Sequence, residues 1–286
     1  MKVSGKTRVL GIFGDPVAHS MSPLMQNQAF QQAGIDAVYV PYHVRAEQLP
    51  QAVAAIRALG LWGVNVTVPH KEAVCSLLDE IDPAARMIGA VNTIVNRQGR
   101  LIGYNTDGMG FLRSLAEDLQ FHCEGKRILL LGAGGACRAA LVALARAGAS
   151  HIGIANRSRS RAEALVGEFS RIFPGVGFAD YGIGNEELLR AVQRVDLLAN
   201  TSSVGLKGEP FADLPWSGLG ENVAVYDMVY SKAGTPLVQE ALRRGHRASG
   251  GLGMLAGQGE EAFALWTGHR PLAGLMKRCL HEELTG

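Results

Sequence analysis

Along the first hundred residues, short unbroken apolar runs alternate with stretches of helical spacing. The runs at 9–13, 38–42 and 63–68 predict strands, and the stretches at about 23–34, 46–59 and 71–78 predict helices. Two further apolar runs flank Asn96-Arg97-Gln98-Gly99-Arg100 and predict a hairpin over 90–105. A helix from about 107 to 119 leads out of it. Strand and helix in turn is the pattern of packed α/β layers.

At Arg127 the texture changes. Ile128-Leu129-Leu130-Leu131 is aliphatic without alternation, as expected of a central parallel strand buried on both faces. Strand and helix then recur at 152–155, 159–172, 195–199 and 223–226. The stretch 252–284 predicts two helices separated by Thr267-Gly268-His269-Arg270-Pro271. The pattern divides the chain into a first α/β domain over 1–107, a second over 108–250, and C-terminal helices over 251–286.

The length of 286 residues suits two modest domains. With 47% hydrophobic and 19% charged residues and a net charge of +2, neither a disordered chain nor a strongly basic nucleic-acid binder is favoured. An aromatic content of 6% leaves few stacking platforms for single strands. No stretch approaches the ~18 apolar residues of a membrane span, and the first apolar run, broken by Gly14 and Asp15, is too short for a signal sequence. Cys75, Cys123, Cys137 and Cys279 lie far apart, so neither a zinc site nor a disulfide framework is expected. These features predict a soluble cytoplasmic protein that uses no metal, nucleic acid or membrane.

Glycine is in excess, at 36 residues, against a usual share of about 7%. Its densest cluster is Gly132-Ala133-Gly134-Gly135-Ala136-Cys137, directly after the aliphatic strand and before a helical stretch. There the first glycine permits a tight turn, and the second lets backbone N–H groups approach a pyrophosphate at the helix N-terminus. Cys137, where glycine or alanine is usual, reads as a small, inert, buried side chain. An NAD site would carry an acidic residue at the end of the next strand. This chain has Asn156-Arg157-Ser158-Arg159-Ser160-Arg161, which reads either as a solvated helix start or as arginine forks for the 2′-phosphate of NADP. Its place at a strand end favours the phosphate.

In the first domain, Asn65-Val66-Thr67-Val68-Pro69-His70-Lys71 puts polar side chains at a strand's C-terminal end, where open α/β sheets bind ligands. Asp107, at the domain junction, reads as a helix N-cap or as the carboxylate that holds Lys71. Ser22 before Pro23 is a candidate N-cap that competes with any binding role. His19 and His70 have no partner at metal-ligand spacing and read as polar loop residues.

Together these motifs resemble the shikimate dehydrogenase family. The resemblance rests on 14–23 (GDPVAHSMSP), 65–71 (NVTVPHK), 89–93 (GAVNT), 105–108 (NTDG), the glycine loop, Asn156-Arg157-Ser158, 226–230 (YDMVY), and 251–255 (GLGML) with Gln258. It covers nearly the whole chain in order. It implies an N-terminal α/β substrate domain, a Rossmann-type doubly wound NADP-binding domain, and C-terminal helices returning to the first domain. It also implies an active site between the domains and the reversible, NADPH-dependent reduction of 3-dehydroshikimate to shikimate. That reaction belongs to chorismate and aromatic amino acid biosynthesis.

By the same resemblance Lys71 and Asp107 form the catalytic pair, and Ser20 and Ser22 bind the substrate carboxylate. Asn65, Thr67, Asn92, Asp107, Tyr230 and Gln258 contact the ring hydroxyls or neighbouring groups. Met228 and Gly251 lie by the nicotinamide. Gly132, Ala133, Gly134, Gly135 and Ala136 hold the pyrophosphate, and Asn156, Arg157, Ser158 and Arg161 surround the adenosine phosphate. The expected partner is a small molecule, and the expected state is a monomer or homodimer. Two departures flank the site: Gly250 stands where many members have aspartate, and 231–236 (SKAGTP) lacks a proline common there. They leave open a quinate/shikimate dehydrogenase paralogue with a wider substrate range or NAD use.

Overall fold

A computed structural model of the chain describes residues 3–184, 186–211 and 214–285. Contacts divide it into two compact units, Met1–Gly110 with Leu255–Gly286, and Phe111–Met254. The divisions fall a few residues beyond the sequence boundaries of 107/108 and 250/251, inside helices rather than at their ends.

The first unit begins with β1 (Arg8–Gly14), α1 (Ser22–Gln32), β2 (Ala37–His43), α2 (Leu49–Ala58) and β3 (Gly63–Val66). It continues through β4 (Glu80–Ile81), α3 (Pro83–Ile88), β5 (Thr93–Arg97), β6 (Arg100–Tyr104) and the start of α4 (Asp107–Leu119). Its sheet has the order β2-β1-β3-β5-β6-β4. β1 runs parallel to β2 and β3, whereas β5 is antiparallel to both β3 and β6. The β5–β6 hairpin turns on Gln98 and Gly99, both at positive φ, as a two-residue turn between twisted strands requires.

Because β5 is reversed, its first residues meet the C-terminal ends of β3 and β6. The register pairs Asn65 with Thr93, and Thr93 with Tyr104. One sheet edge thus collects the ends of three segments that the sequence separates by up to forty residues. The core below it contains Phe13, Val53, Ile56, Val64, Val66, Val91, Ile94 and Leu101.

The second unit contains β7 (Arg127–Leu131), α5 (Gly135–Arg146), β8 (His151–Ala155), α6 (Arg159–Ile172), β9 (Gly177–Tyr181) and α7 (Glu186–Val192). Then come β10 (Leu197–Asn200), β11 (Ala224–Asp227), α8 (Pro236–Arg243) and β12 (Ala248–Gly250). Its six strands are all parallel, in the order β12-β11-β10-β7-β8-β9. Read from β9, this is the 3-2-1-4-5-6 order of a doubly wound dinucleotide-binding sheet, with the switch point between β7 and β10. Ile128, Leu129 and Leu130 are fully buried there, as the unbroken apolar run predicts.

The last two helices are α9 (Leu252–Thr267) and α10 (Leu275–Thr285). Within the first unit, the Trp266 indole N–H donates to the Ile94 carbonyl oxygen at 3.0 Å, and the Phe30 ring packs tilted against Phe263 with centroids 5.1 Å apart. Gln26 Nε2 donates to the Gly259 carbonyl at 2.9 Å. Among the described residues, no helix is long and apolar enough to cross a membrane.

Two local expectations are corrected. The stretch 71–78 is not an α-helix; a 3₁₀ segment spans Ala73–Leu77, and Lys71 precedes it in a turn. Ser22 is not an N-cap, because α1 starts at Ser22 with Met21 as the capping position. The Ser20 hydroxyl oxygen instead accepts the Ser22 N–H at 3.3 Å.

Candidate active site

In the first unit, Lys71 Nζ donates to Asp107 Oδ2 at 2.6 Å. The Asp107 side chain is 7% exposed and that of Lys71 21%, so the carboxylate is fixed inside while the ammonium keeps contact with water. Asp107 is the first residue of α4, and its N–H donates to Asn105 Oδ1 at 3.1 Å. Val91 N–H donates to the Lys71 carbonyl at 2.8 Å, which ties this residue to the start of β5. Next to it His70, expected as a polar loop residue, is 1% exposed and donates from Nε2 to the Val44 carbonyl at 2.6 Å. It packs the turn inward beside the half-buried lysine. His19 is exposed, as its loop reading predicts.

Behind the ion pair lies a continuous polar chain. Asn92 Nδ2 donates to Asp107 Oδ1 at 2.8 Å and to Thr106 Oγ1 at 2.9 Å, with Gln258 Oε1 at 3.4 Å. Asn92 Oδ1 accepts the Thr106 N–H and the Thr93 hydroxyl, each at 2.9 Å. Asn65 Nδ2 donates to the Asn92 carbonyl and to Thr93 Oγ1, each at 3.0 Å. Asn65 Oδ1 accepts the Tyr39 hydroxyl at 2.6 Å. Burial holds the Tyr39 hydroxyl well above its usual range, so it donates as a neutral phenol.

The structure therefore joins Asn65, Asn92, Asp107, Lys71 and Gln258 in one chain of bonds, and Ser20 to Ser22 at the start of α1. Thr67, half-buried at the end of β3, stands against Gly14 and donates its N–H to the Phe13 carbonyl at 2.9 Å. Tyr39, Thr93 and Thr106 belong to the same chain of bonds; in the sequence Thr93 and Thr106 stood only within their motifs, and Tyr39 was not singled out. The Tyr39 hydroxyl finds its partner 26 residues on, and a tyrosine inside an apolar strand reads as core.

The second unit carries the other set. Gly132 follows β7 with φ at +110°, and a Cβ there would meet Ser202 at 3.0 to 3.2 Å. Gly134 caps α5 without a side-chain bond, and a Cβ on it would meet nothing within 4 Å. Backbone N–H groups at the start of α5 are thus left uncapped beside open space at the sheet's switch point, which fits a pyrophosphate. Cys137 is fully buried, its thiol pushed up to about 12, in line with an inert packing role.

At the end of β8, Asn156 takes the place of an acidic residue, with Nδ2 donating to the Ser158 carbonyl at 2.8 Å. Arg159 is engaged by Asp180 at 2.8 Å, Glu187 at 3.1 Å and Glu163 at 3.5 Å. Arg157 and Arg161 are exposed and form no ion pair among the described residues. The residues fit NADP, whose 2′-phosphate needs such free guanidinium groups.

Beyond β11, Asp227 accepts Asn200 Nδ2 at 2.7 Å, the Val229 N–H at 3.0 Å and the Thr235 hydroxyl at 2.6 Å. Burial raises its carboxyl above the usual range while these donors oppose the shift. The bonds fix the loop of Met228 and Tyr230, both half-buried. A Cβ on Gly251 would run into the Met228 carbonyl oxygen. Asn200, Thr201 and Ser202 were also missed, although polar residues directly after an apolar strand were the signal that singled out Asn65.

A doubly wound sheet with an uncapped glycine loop, together with a part-buried lysine–aspartate pair, is the equipment of a nicotinamide-dependent dehydrogenase. Family models match residues 12–94 as a shikimate dehydrogenase substrate binding domain, 114–178 as shikimate / quinate 5-dehydrogenase, and 251–278 as a shikimate 5′-dehydrogenase C-terminal domain. The chain is 54% identical to a shikimate dehydrogenase (NADP(+)) of Geobacter metallireducens over 97% of both chains. It is 54% identical to one of Geobacter sulfurreducens over 99% of both. The structure of shikimate 5-dehydrogenase from Thermus thermophilus in complex with NADP(H) and shikimate superposes with a TM-score of 0.85 at 36% identity, covering 96% of this chain and 99% of that one. The chain belongs to the shikimate dehydrogenase family.

Proposed function

We infer that the protein catalyses the NADPH-dependent, reversible reduction of 3-dehydroshikimate to shikimate, within chorismate and aromatic amino acid biosynthesis. The observation that carries this reading is the Lys71–Asp107 pair, held at 2.6 Å and braced by Asn92 at 2.8 Å. NADPH, when bound, supplies the hydride. The protein's task is then to bind and orient the carbonyl and to manage one proton. As the carbonyl oxygen gains negative charge, the Lys71 ammonium gives it a proton and stabilises it on the way. Asp107 holds the ammonium in place, and the one-fifth exposure of the Lys71 side chain lets it regain the proton from water.

Ser20 and Ser22 are assigned to the substrate carboxylate, and Asn65, Thr67, Asn92, Asp107 and Gln258 to its hydroxyls. Asn65 has both amide hydrogens committed and one lone pair of Oδ1 left, so it serves as an acceptor from a substrate hydroxyl. On the second unit, Gly132, Ala133, Gly134, Gly135 and Ala136 are assigned to the pyrophosphate, Met228 and Gly251 to the nicotinamide, and Tyr230 to the substrate. Asn156, Arg157, Ser158 and Arg161 are assigned to the adenosine phosphate. The unpaired Arg157 and Arg161 support NADP over NAD. The protein is inferred to act in the cytoplasm on a small molecule, as a monomer or homodimer. The test is kcat/KM for shikimate and quinate with NADP⁺ and NAD⁺. Shikimate with NADP⁺ should exceed every other pairing by at least about tenfold; equal values for quinate or NAD⁺ overturn the reading.

A further inference from the structure

The buried chain behind the ion pair has only one consistent arrangement of hydrogens. The Thr106 N–H can only donate, which makes the facing atom of Asn92 its oxygen and turns Asn92 Nδ2 to the Asp107 carboxylate. The Asn92 carbonyl can only accept, which turns Asn65 Nδ2 toward it and leaves Asn65 Oδ1 facing Tyr39. Tyr39 must then give its proton to Asn65.

Tyr39 is held more firmly than its hydroxyl partner requires. It is 1% exposed, so it touches no ligand. Asn27, on the helix that begins at Ser22, accepts the Tyr39 N–H and donates to its carbonyl, each at 2.8 Å. The ring rests on Trp266 at 6.0 Å. A strand residue clamped through its backbone and its ring thus presents its hydroxyl group to the Asn65 side chain on β3.

We propose that Tyr39 is a positioning residue for substrate recognition: its phenol gives its proton to Asn65 and so fixes which atom of that amide faces the substrate. The proposal rests on the assignment of Asn65 to a substrate hydroxyl. A hydroxyl that donates to Asn65 Oδ1 shares that oxygen with the phenol, so the phenol senses binding it never contacts. Without the phenol, the Asn65 amide loses the bond that fixes its acceptor.

The test is Tyr39→Phe in the full chain, which keeps the ring and removes the hydroxyl. The expected result is a rise of about tenfold or more in KM and Kd for shikimate, the scale of one or two lost hydrogen bonds, with kcat and the KM for NADP⁺ within about threefold of wild type. A purely structural role lowers the thermal midpoint and leaves the shikimate KM of the folded protein unchanged, which overturns the proposal. A collapse of kcat, or a parallel loss of NADP⁺ affinity, also overturns it. Wild-type protein that does not oxidise shikimate refutes the functional reading itself, a result read without the variant.

Should Tyr39→Phe be recovered unfolded, ¹³Cζ-tyrosine spectra of the wild type give a second reading. Single Phe variants at Tyr42, Tyr104, Tyr181, Tyr226 and Tyr230 assign the other five resonances. The remaining one moves when shikimate saturates the protein; an unmoved Tyr39 resonance overturns the proposal.

Discussion

Replacing Asp107 by asparagine keeps the size of the side chain and removes its charge, and both ways of seating the amide fail. One orientation points its NH₂ at Lys71 Nζ, which stands 2.6 Å from the carboxylate, and the other points it at Asn92 Nδ2, 2.8 Å away. Each is a donor facing a donor. A charge-assisted hydrogen bond contributes about 1.5–3 kcal/mol, and if all of it serves to position Lys71, kcat falls by about 10- to 150-fold. The stability cost sits at the lower end of that range, because the Lys71 side chain, 21% exposed, turns to water once released. The assay is steady-state shikimate oxidation beside a thermal unfolding curve. Loss of kcat with a midpoint lowered by about 2–4 °C per kcal/mol fits the account. A kcat within about threefold of wild type refutes the claim that Asp107 anchors the proton donor.

Three further outcomes follow from other parts of the chain. Gly251→Ala drives a methyl group into the Met228 carbonyl, so the KM for NADP⁺ should rise about tenfold or more while Kd for shikimate measured without cofactor stays unchanged. Arg157→Ala with Arg161→Ala should raise the KM for NADP⁺ by about tenfold or more and leave that for NAD⁺ unaltered; equal effects on both would remove the 2′-phosphate from the argument. Burial lifts the Cys137 thiol from 9.0 to about 12 and the Cys123 thiol from 9.0 to about 11. The unfolded chain therefore loses these protons first, so denaturation midpoints should hold below pH 9 and fall as pH rises toward 11–12, less steeply in Cys137→Ala.

The elements legible in the sequence were those whose burial leaves a pattern. β7 is buried on both faces, and its aliphatic run announced it; α6 has the predicted bounds. β9 and β12 lie at the edges of their sheet and are only half-buried, so their sequences, GFADY and ASG, carry no such run. β4, with two residues, is too short to show a period.

The site was legible in proportion to how local its chemistry is. The glycine loop needs only a strand before it and a helix after it, and both were visible. The Lys71–Asp107 pair spans 36 residues and rested on resemblance until the register of β3, β5 and β6 brought their ends together. Tyr39 reads as one more core aromatic; only its bond to Asn65, 26 residues on, sets it apart.

The central claim is that Lys71 transfers the proton while the second unit holds the cofactor, and Lys71→Ala tests it most directly. Turnover of shikimate and equilibrium binding of NADP(H) are measured on the same preparation. The account predicts a kcat lowered by at least about 100-fold, with the Kd for NADP(H) within about threefold of wild type. A variant that turns over at a rate comparable to wild type contradicts it.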